Sequence, residues 1–152
     1  MKWGKVENYM FIGEYQHTID EKGRLAMPVK FRGRMSEGAV VTKGLDNCLA
    51  VYTLPEWEIL AEKLATMPLT QAASRAFTRM MLAGATQLTP DKQGRVNIPG
   101  YLREYADLSG QVVVAGLYSR VEIWSQKNWQ EYKTKTESDS SAIAEELSNL
   151  GV

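Results

Sequence analysis

An arginine sits at the fifth place of a nine-residue phrase that this chain writes twice, "DEKGRLAMP" at Asp20–Pro28 and "DKQGRVNIP" at Asp91–Pro99. Both copies share D-x-x-G-R-x-x-x-P. An aspartate opening a type I turn accepts backbone N–H groups, and a glycine at the fourth position takes the positive φ that closes a hairpin. Asp20 and Gly23, with Asp91 and Gly94, therefore orient the turns, and Arg24 and Arg95 follow directly. Two readings of the arginines stand side by side. In one, each folds back on its aspartate and fixes the hairpin, a surface pair that contributes ~0–1 kcal/mol. In the other, the turn presents a planar guanidinium to phosphate or to guanine edges, which it suits better than lysine does. The two are compatible, because an aspartate that orients the arginine makes a better contact of it. The structural reading alone does not explain the cations that crowd both turns. Lys22, Lys30, Arg32 and Arg34 accompany the first as candidate phosphate contacts, and Lys92 the second.

Other reactive groups are sparse. His17, the one histidine, lies on a strand flank before the first turn, and Cys48, the one cysteine, has no histidine near it in sequence. Neither suggests a nucleophile with its base, nor a metal site. There is no phosphate-cradling G-x-x-x-x-G-K-[ST] loop and no dinucleotide-binding G-x-G-x-x-G. An enzyme is not expected, nor is a cofactor or a metal.

The elements that must hold the arginines are themselves duplicated. Laying Asp20 on Asp91 also pairs Gly13 with Gly84 and Gln16 with Gln87. With one inserted residue, "GAVVTKGL" meets "GQVVVAGL", and Trp57 meets Trp129. This is an internal duplication of roughly 45 residues, and neither half is large enough to bury a core alone. Each half predicts a strand into the turn, a return strand stopped by proline, and a short helix such as Val29–Met35. Two further strands and an amphipathic helix complete it. Thr53 and Glu56 have capping-box spacing, and Trp57, Leu60, Leu64 and Met67 form the apolar stripe behind them. A connecting helix is expected over Thr70–Ala83. The apolar helices around 60–67 and 77–81 are candidates for contact between subunits. The fold class is thus α+β. Residues 1–9 read as an extension, 10–67 as the first unit with its helix and 68–83 as the connection. The second unit takes 84–132, and 133–152 is a polar tail, weakly helical and frayed.

The whole chain has 152 residues and a net charge of zero, but its charge is sorted. From Lys22 to Arg34 there are five cations and no acid. The acids collect at Glu56, Glu58 and Glu62 and in the tail. Sorting of that kind makes an electrostatic footprint. No apolar run approaches the ~20 residues of a membrane span, and "MKWGKVENY" lacks the hydrophobic stretch of a signal peptide. A cytoplasmic protein with no membrane partner is expected.

The pattern F-x-G-x-x-Q-x-x-x-D-x-x-G-R-x-x-x-P, followed by "TKGLDNCLAVY" and "LPEWE", resembles the MraZ family, built from two SpoVT/AbrB-like units. The resemblance runs from Met10 to about Tyr132. It implies a swapped-hairpin β-barrel with flanking helices, ring-like homo-oligomers, and association with the nucleoid. It also implies repression at short direct repeats in double-stranded DNA, upstream of the protein's own division and cell-wall gene cluster. The family's DNA-binding arginine falls on Arg24 and its partner on Asp20, with the second motif on Asp91 and Arg95. Gln93 stands where the first turn has Lys22, so the second tip is less basic. The rival expectation is a scaffolding ring that binds protein partners and shows no preference among DNA sequences.

Overall fold

The computed structural model describes residues 10–152. The segment 1–9, read above as an extension, lies outside the described residues. Strand β1 (Phe11–Ile19) runs into the first D-x-x-G turn, and β2 (Arg24–Ala26) returns beside it with Leu25 opposite Ile19. Pro28 then opens α1 (Val29–Met35), a position where its missing N–H is not needed. Phe31 and Met35, one helical turn apart, are buried on the inner side of α1. Strands β3 (Ala39–Lys43) and β4 (Leu49–Thr53) follow, joined through a single 3₁₀ turn. The Thr53 hydroxyl accepts the Glu56 N–H at 3.4 Å and starts α2 (Leu54–Ala65), as the capping-box spacing implies.

The second half repeats the order. After α3 (Ala72–Thr78) come β5 (Thr86–Leu88), β6 (Arg95–Asn97), α4 (Gly100–Ala106), β7 (Gly110–Tyr118), β8 (Val121–Ser125) and α5 (Gln126–Ser138). A further helix, α6 (Ser140–Glu146), ends the chain with a short 3₁₀ turn.

All pairings are antiparallel, in the order β5-β3-β4-β8-β7-β1-β2-β6. The two halves are interleaved in this order. β1 of the first unit lies along β7 of the second, and β5 of the second lies along β3 of the first. Like meets like at two places: β2 pairs with β6 about Leu25 and Val96, and β4 pairs with β8 about Ala50 and Glu122. These are the two crossings of an approximate two-fold axis, on opposite walls of the barrel. Tyr52 packs on Trp57 at 5.8 Å between centroids, and Trp124 on Trp129 at 5.5 Å, so the tryptophans occupy related positions. One seam stays open. No ladder joins β5 to β6, although the Asp91 N–H donates to the Arg95 carbonyl at 2.9 Å across that seam, as the Asp20 N–H does to the Arg24 carbonyl at 3.1 Å in the first unit.

Both halves fill one core. Leu25, Met27, Phe31 and Met35 from the first share a single buried cluster with Val96, Ile98, Leu102 and Ala106 from the second. The phrase therefore supplies core as well as turn. Its Leu or Val and its Met or Ile point inward on either side of an outward residue.

The connection departs from the continuous helix expected over Thr70–Ala83. Helix α3 ends at Thr78 and widens into a π turn over Arg79–Ala83. There the Thr42 hydroxyl donates to the Met81 carbonyl at 2.6 Å. A side chain from β3 thus enters the helical ladder, a known cause of local widening. The proposed subunit faces are also partly used inside the chain. Leu64 and Met81 are buried, and the Thr78 hydroxyl donates to the Leu64 carbonyl at 3.3 Å, tying α3 to α2. Finally, α5 runs past Tyr132 to Ser138, and α6 is helical with every residue exposed.

Candidate nucleic-acid interface

The two turns are built alike, bond for bond. In the first, Asp20 Oδ1 accepts the backbone N–H of Lys22 and of Arg24, each at 2.9 Å, and Oδ2 accepts Arg24 Nε at 2.7 Å. In the second, Asp91 Oδ1 accepts the N–H of Gln93 at 2.8 Å and of Arg95 at 2.9 Å, and Oδ2 accepts Arg95 Nε at 2.9 Å. Each aspartate thus fixes its own turn and the plane of its arginine. The Arg24 N–H, followed by the Arg24 side chain, holds the Asp20 carboxyl below its usual range. The Arg95 N–H does the same for Asp91, against a smaller opposing effect of desolvation.

Only the Nε edge of each guanidinium is used. Among the described residues, Nη1 and Nη2 of Arg24 and Arg95 have no partner, and the side chains are 46% and 40% exposed. The register brings both onto one surface. Arg24 lies opposite Asn97 and Arg95 opposite Ala26, while Leu25 and Val96 between them face the core. The two arginines are therefore diagonal neighbours on an outward-facing ribbon, with Cα atoms roughly 7–8 Å apart. Lys22 and Lys92 are exposed at the two turns, which flank this ribbon from opposite ends.

The turns also clasp one another. The Met27 N–H donates to the Gly94 carbonyl at 3.0 Å and the Ile98 N–H to the Gly23 carbonyl at 2.7 Å. Gly23 and Gly94 have φ of +86° and +76°. A Cβ on Gly23 would collide with the Ile98 carbonyl, and one on Gly94 with the Arg32 side chain.

Arg32 accordingly lies against the second turn, with Nε donating to the Met27 carbonyl at 2.9 Å. Its counterpart Arg103, which the sequence reading did not place in the site, donates from Nε to the Ile98 carbonyl and from Nη1 to the Glu21 carbonyl, each at 3.0 Å. The duplication itself carried that signal, since Arg103 falls on Arg32 when Asp91 is laid on Asp20. Lys30 and Arg34 are placed differently. They line a cleft between α1 and the start of α2, with Pro55 and Glu56 across from them, and Arg34 lies 4.4 Å above the Phe11 ring. No residue of either turn lines that cleft.

His17 is half-buried, and that burial, with Arg32 nearby, lowers its pKa from the ordinary value, so it is neutral at physiological pH. Cys48 is buried and its thiol donates to the Leu45 carbonyl at 3.2 Å; burial pushes it far above the thiolate range. It is an inert packing residue.

Two successive stretches, residues 10–80 and 81–150, each match the family described as "MraZ protein, putative antitoxin-like". The chain belongs to the MraZ family. The relatives include the "Transcriptional regulator MraZ" of Caldanaerobacter subterraneus subsp. tengcongensis, 51% identical over 143 residues, and that of Desulfitobacterium hafniense strain Y51, 52% identical over 143 residues. The same-named protein of Moorella thermoacetica is 48% identical. Each match covers 94% of this chain and all of the relative. The family is one of transcriptional regulators, not enzymes. No helix among the described residues is long and apolar enough to cross a membrane.

Proposed function

We propose that this MraZ-family regulator holds double-stranded DNA with the ribbon formed by β2 and β6. The observation that carries the reading is the pair of identical Asp–Arg turns. Each locks one edge of its guanidinium and leaves two nitrogens for a ligand, on a surface that both share. A two-stranded ribbon is of a size that enters the B-DNA major groove, about 12 Å wide. Arginine is the side chain that reads guanine O6 and N7 through two parallel bonds. Lys22, Lys92 and Lys30 are lysines in the exposed surface, suited to phosphates that position the protein without reading sequence. Arg32 and Arg34 contribute charge to the same half of the molecule while also packing against it.

One barrel with zero net charge and two presented arginines would bind weakly. Repetition around a homo-oligomeric ring raises the effective concentration of each ribbon and turns several weak contacts into one strong one. Short direct repeats in the DNA are the matching target, since they repeat the same groove surface. The family resemblance supports repression at such repeats upstream of the protein's own division and cell-wall gene cluster, in the cytoplasm and at the nucleoid. The test is a gel shift with that upstream DNA against unrelated DNA of equal length at physiological salt. Tight binding to the upstream fragment alone supports the proposal. Equal binding to both fragments, or to neither, contradicts it and favours a scaffold.

A further inference from the structure

On the wall opposite the arginine ribbon, the second like-with-like pairing sets Glu122 across from Ala50. Beside Glu122 a cavity of about 450 Å³ opens between β8 and α5, within the range of small-molecule sites. Its floor is Trp124, buried to 3% exposure. Trp129 stands against that ring at 5.5 Å between centroids and Tyr132 at 5.2 Å, so three aromatic rings form one concave apolar surface.

The charges around these rings are unequal in what they have left to offer. Arg120 is held by Glu122, Nη2 to Oε2 at 3.4 Å, and Glu122 also accepts Trp124 Nε1 at 3.0 Å. Lys133 reaches out of the cavity to Glu14 at 2.7 Å. Asp46 and Glu137 also line the cavity; neither forms an ion pair among the described residues, but Asp46 bonds to the Tyr132 hydroxyl and Glu137 lies in the field of Lys133. The lining sets three carboxylates, Asp46, Glu122 and Glu137, against two cations, Arg120 and Lys133. Asp46 first, then burial and Glu122, pushes the Tyr132 phenol above its usual range; at buried Cys48 and half-buried Tyr52 burial does so, with Glu122 opposed by Arg120.

The duplicated barrel does not require this arrangement. In the first unit Ala50, Leu60 and Ala65 stand where the second has Glu122, Tyr132 and Glu137. Glu122, Glu137 and the Tyr132 phenol come from the second half of the chain and Asp46 from the first, although both halves pack an aromatic pair at the same place.

We propose that this cavity binds a small organic cation, an ammonium group carrying an apolar body. The body rests on Trp124, Trp129 and Tyr132, and the charge faces Asp46 and Glu137. Aromatic faces attract such cations, most strongly where water is excluded. The binding is independent of the DNA ribbon.

The probe is choline, titrated into the full chain with tryptophan fluorescence as the readout, against its neutral isostere 3,3-dimethylbutan-1-ol. A saturable change is expected with choline, with the isostere binding at least about ten-fold more weakly. Trp129→Ala should abolish the response. Glu137 is exposed on a polar helix, so Glu137→Gln should leave the melting temperature unchanged and still weaken choline about ten-fold. Three results would overturn the proposal: no saturable response to choline, equal affinity for the neutral isostere, or a Glu137→Gln variant that binds choline as the parent does.

Discussion

An arginine fixed through Nε keeps its two remaining nitrogens in one plane, and that plane is set before any ligand arrives. Lysine at the same place carries the charge but has no second edge for the aspartate to hold. Arg24→Lys is therefore expected to retain weak, salt-sensitive binding to all DNA and to lose the preference for the target sequence. Comparison of target and unrelated DNA across a salt series measures this. Lys30→Ala should behave in the opposite way, weakening all DNA alike and flattening the salt dependence by about one unit of slope. The aspartates predict a pH effect of defined sign. The folded Asp20 carboxyl lies below its usual range, so its contribution is present above the ordinary carboxylate pKa and is lost as pH falls through the folded value. Asp20→Asn should melt below the parent at neutral pH, and the gap should close on acidification past the carboxylate range. A gap that stays constant with pH would show that the bonds to Oδ1 and Oδ2 do not depend on charge.

The hairpins act as a clasped pair, so a change in one turn is felt in the other unit. Gly23→Ala and Gly94→Ala each place a Cβ at positive φ, a strain of about 1–3 kcal/mol, and also into an atom contributed from across the ribbon. Chemical denaturation should show a lowered midpoint for both, and similar midpoint losses would reflect the symmetry of the clasp. Much of this was legible in the sequence, because turn chemistry is local: D-x-x-G-R fixes the hairpin, and Pro28 and Pro99 mark where each return strand ends. The duplication likewise announced a shared core. What could not be read was what arises across the interleaving. Arg32, read as a candidate phosphate contact beside the first turn, also lies against the other unit's turn, as Arg103 does in return. The π turn at Arg79–Ala83 coincides with a hydroxyl on β3, thirty-nine positions away in sequence. The reach of α5 to Ser138 was hidden because its last turns are polar and carry no apolar period.

At the scale of the molecule, one core holds both units and one wall carries both arginines, so stability and binding are separable properties. Phe31 packs edge-on against Phe11 and Tyr15 at 5.1 and 5.3 Å in the middle of that core. Phe31→Ala should cost about 3–5 kcal/mol and unfold both halves in a single transition; two resolved transitions would mean that the units fold independently. The arginines, by contrast, stand on the surface of the same barrel, and their removal leaves the core untouched. The measurement that bears most directly on the account is therefore the affinity of Arg24→Ala for the upstream DNA at physiological salt, taken together with its melting temperature and its size in solution. The account predicts affinity at least about ten-fold weaker, with folding and assembly as in the parent. An Arg24→Ala protein that binds that DNA as tightly as the parent would make the turn purely structural and contradict the assignment of the ribbon.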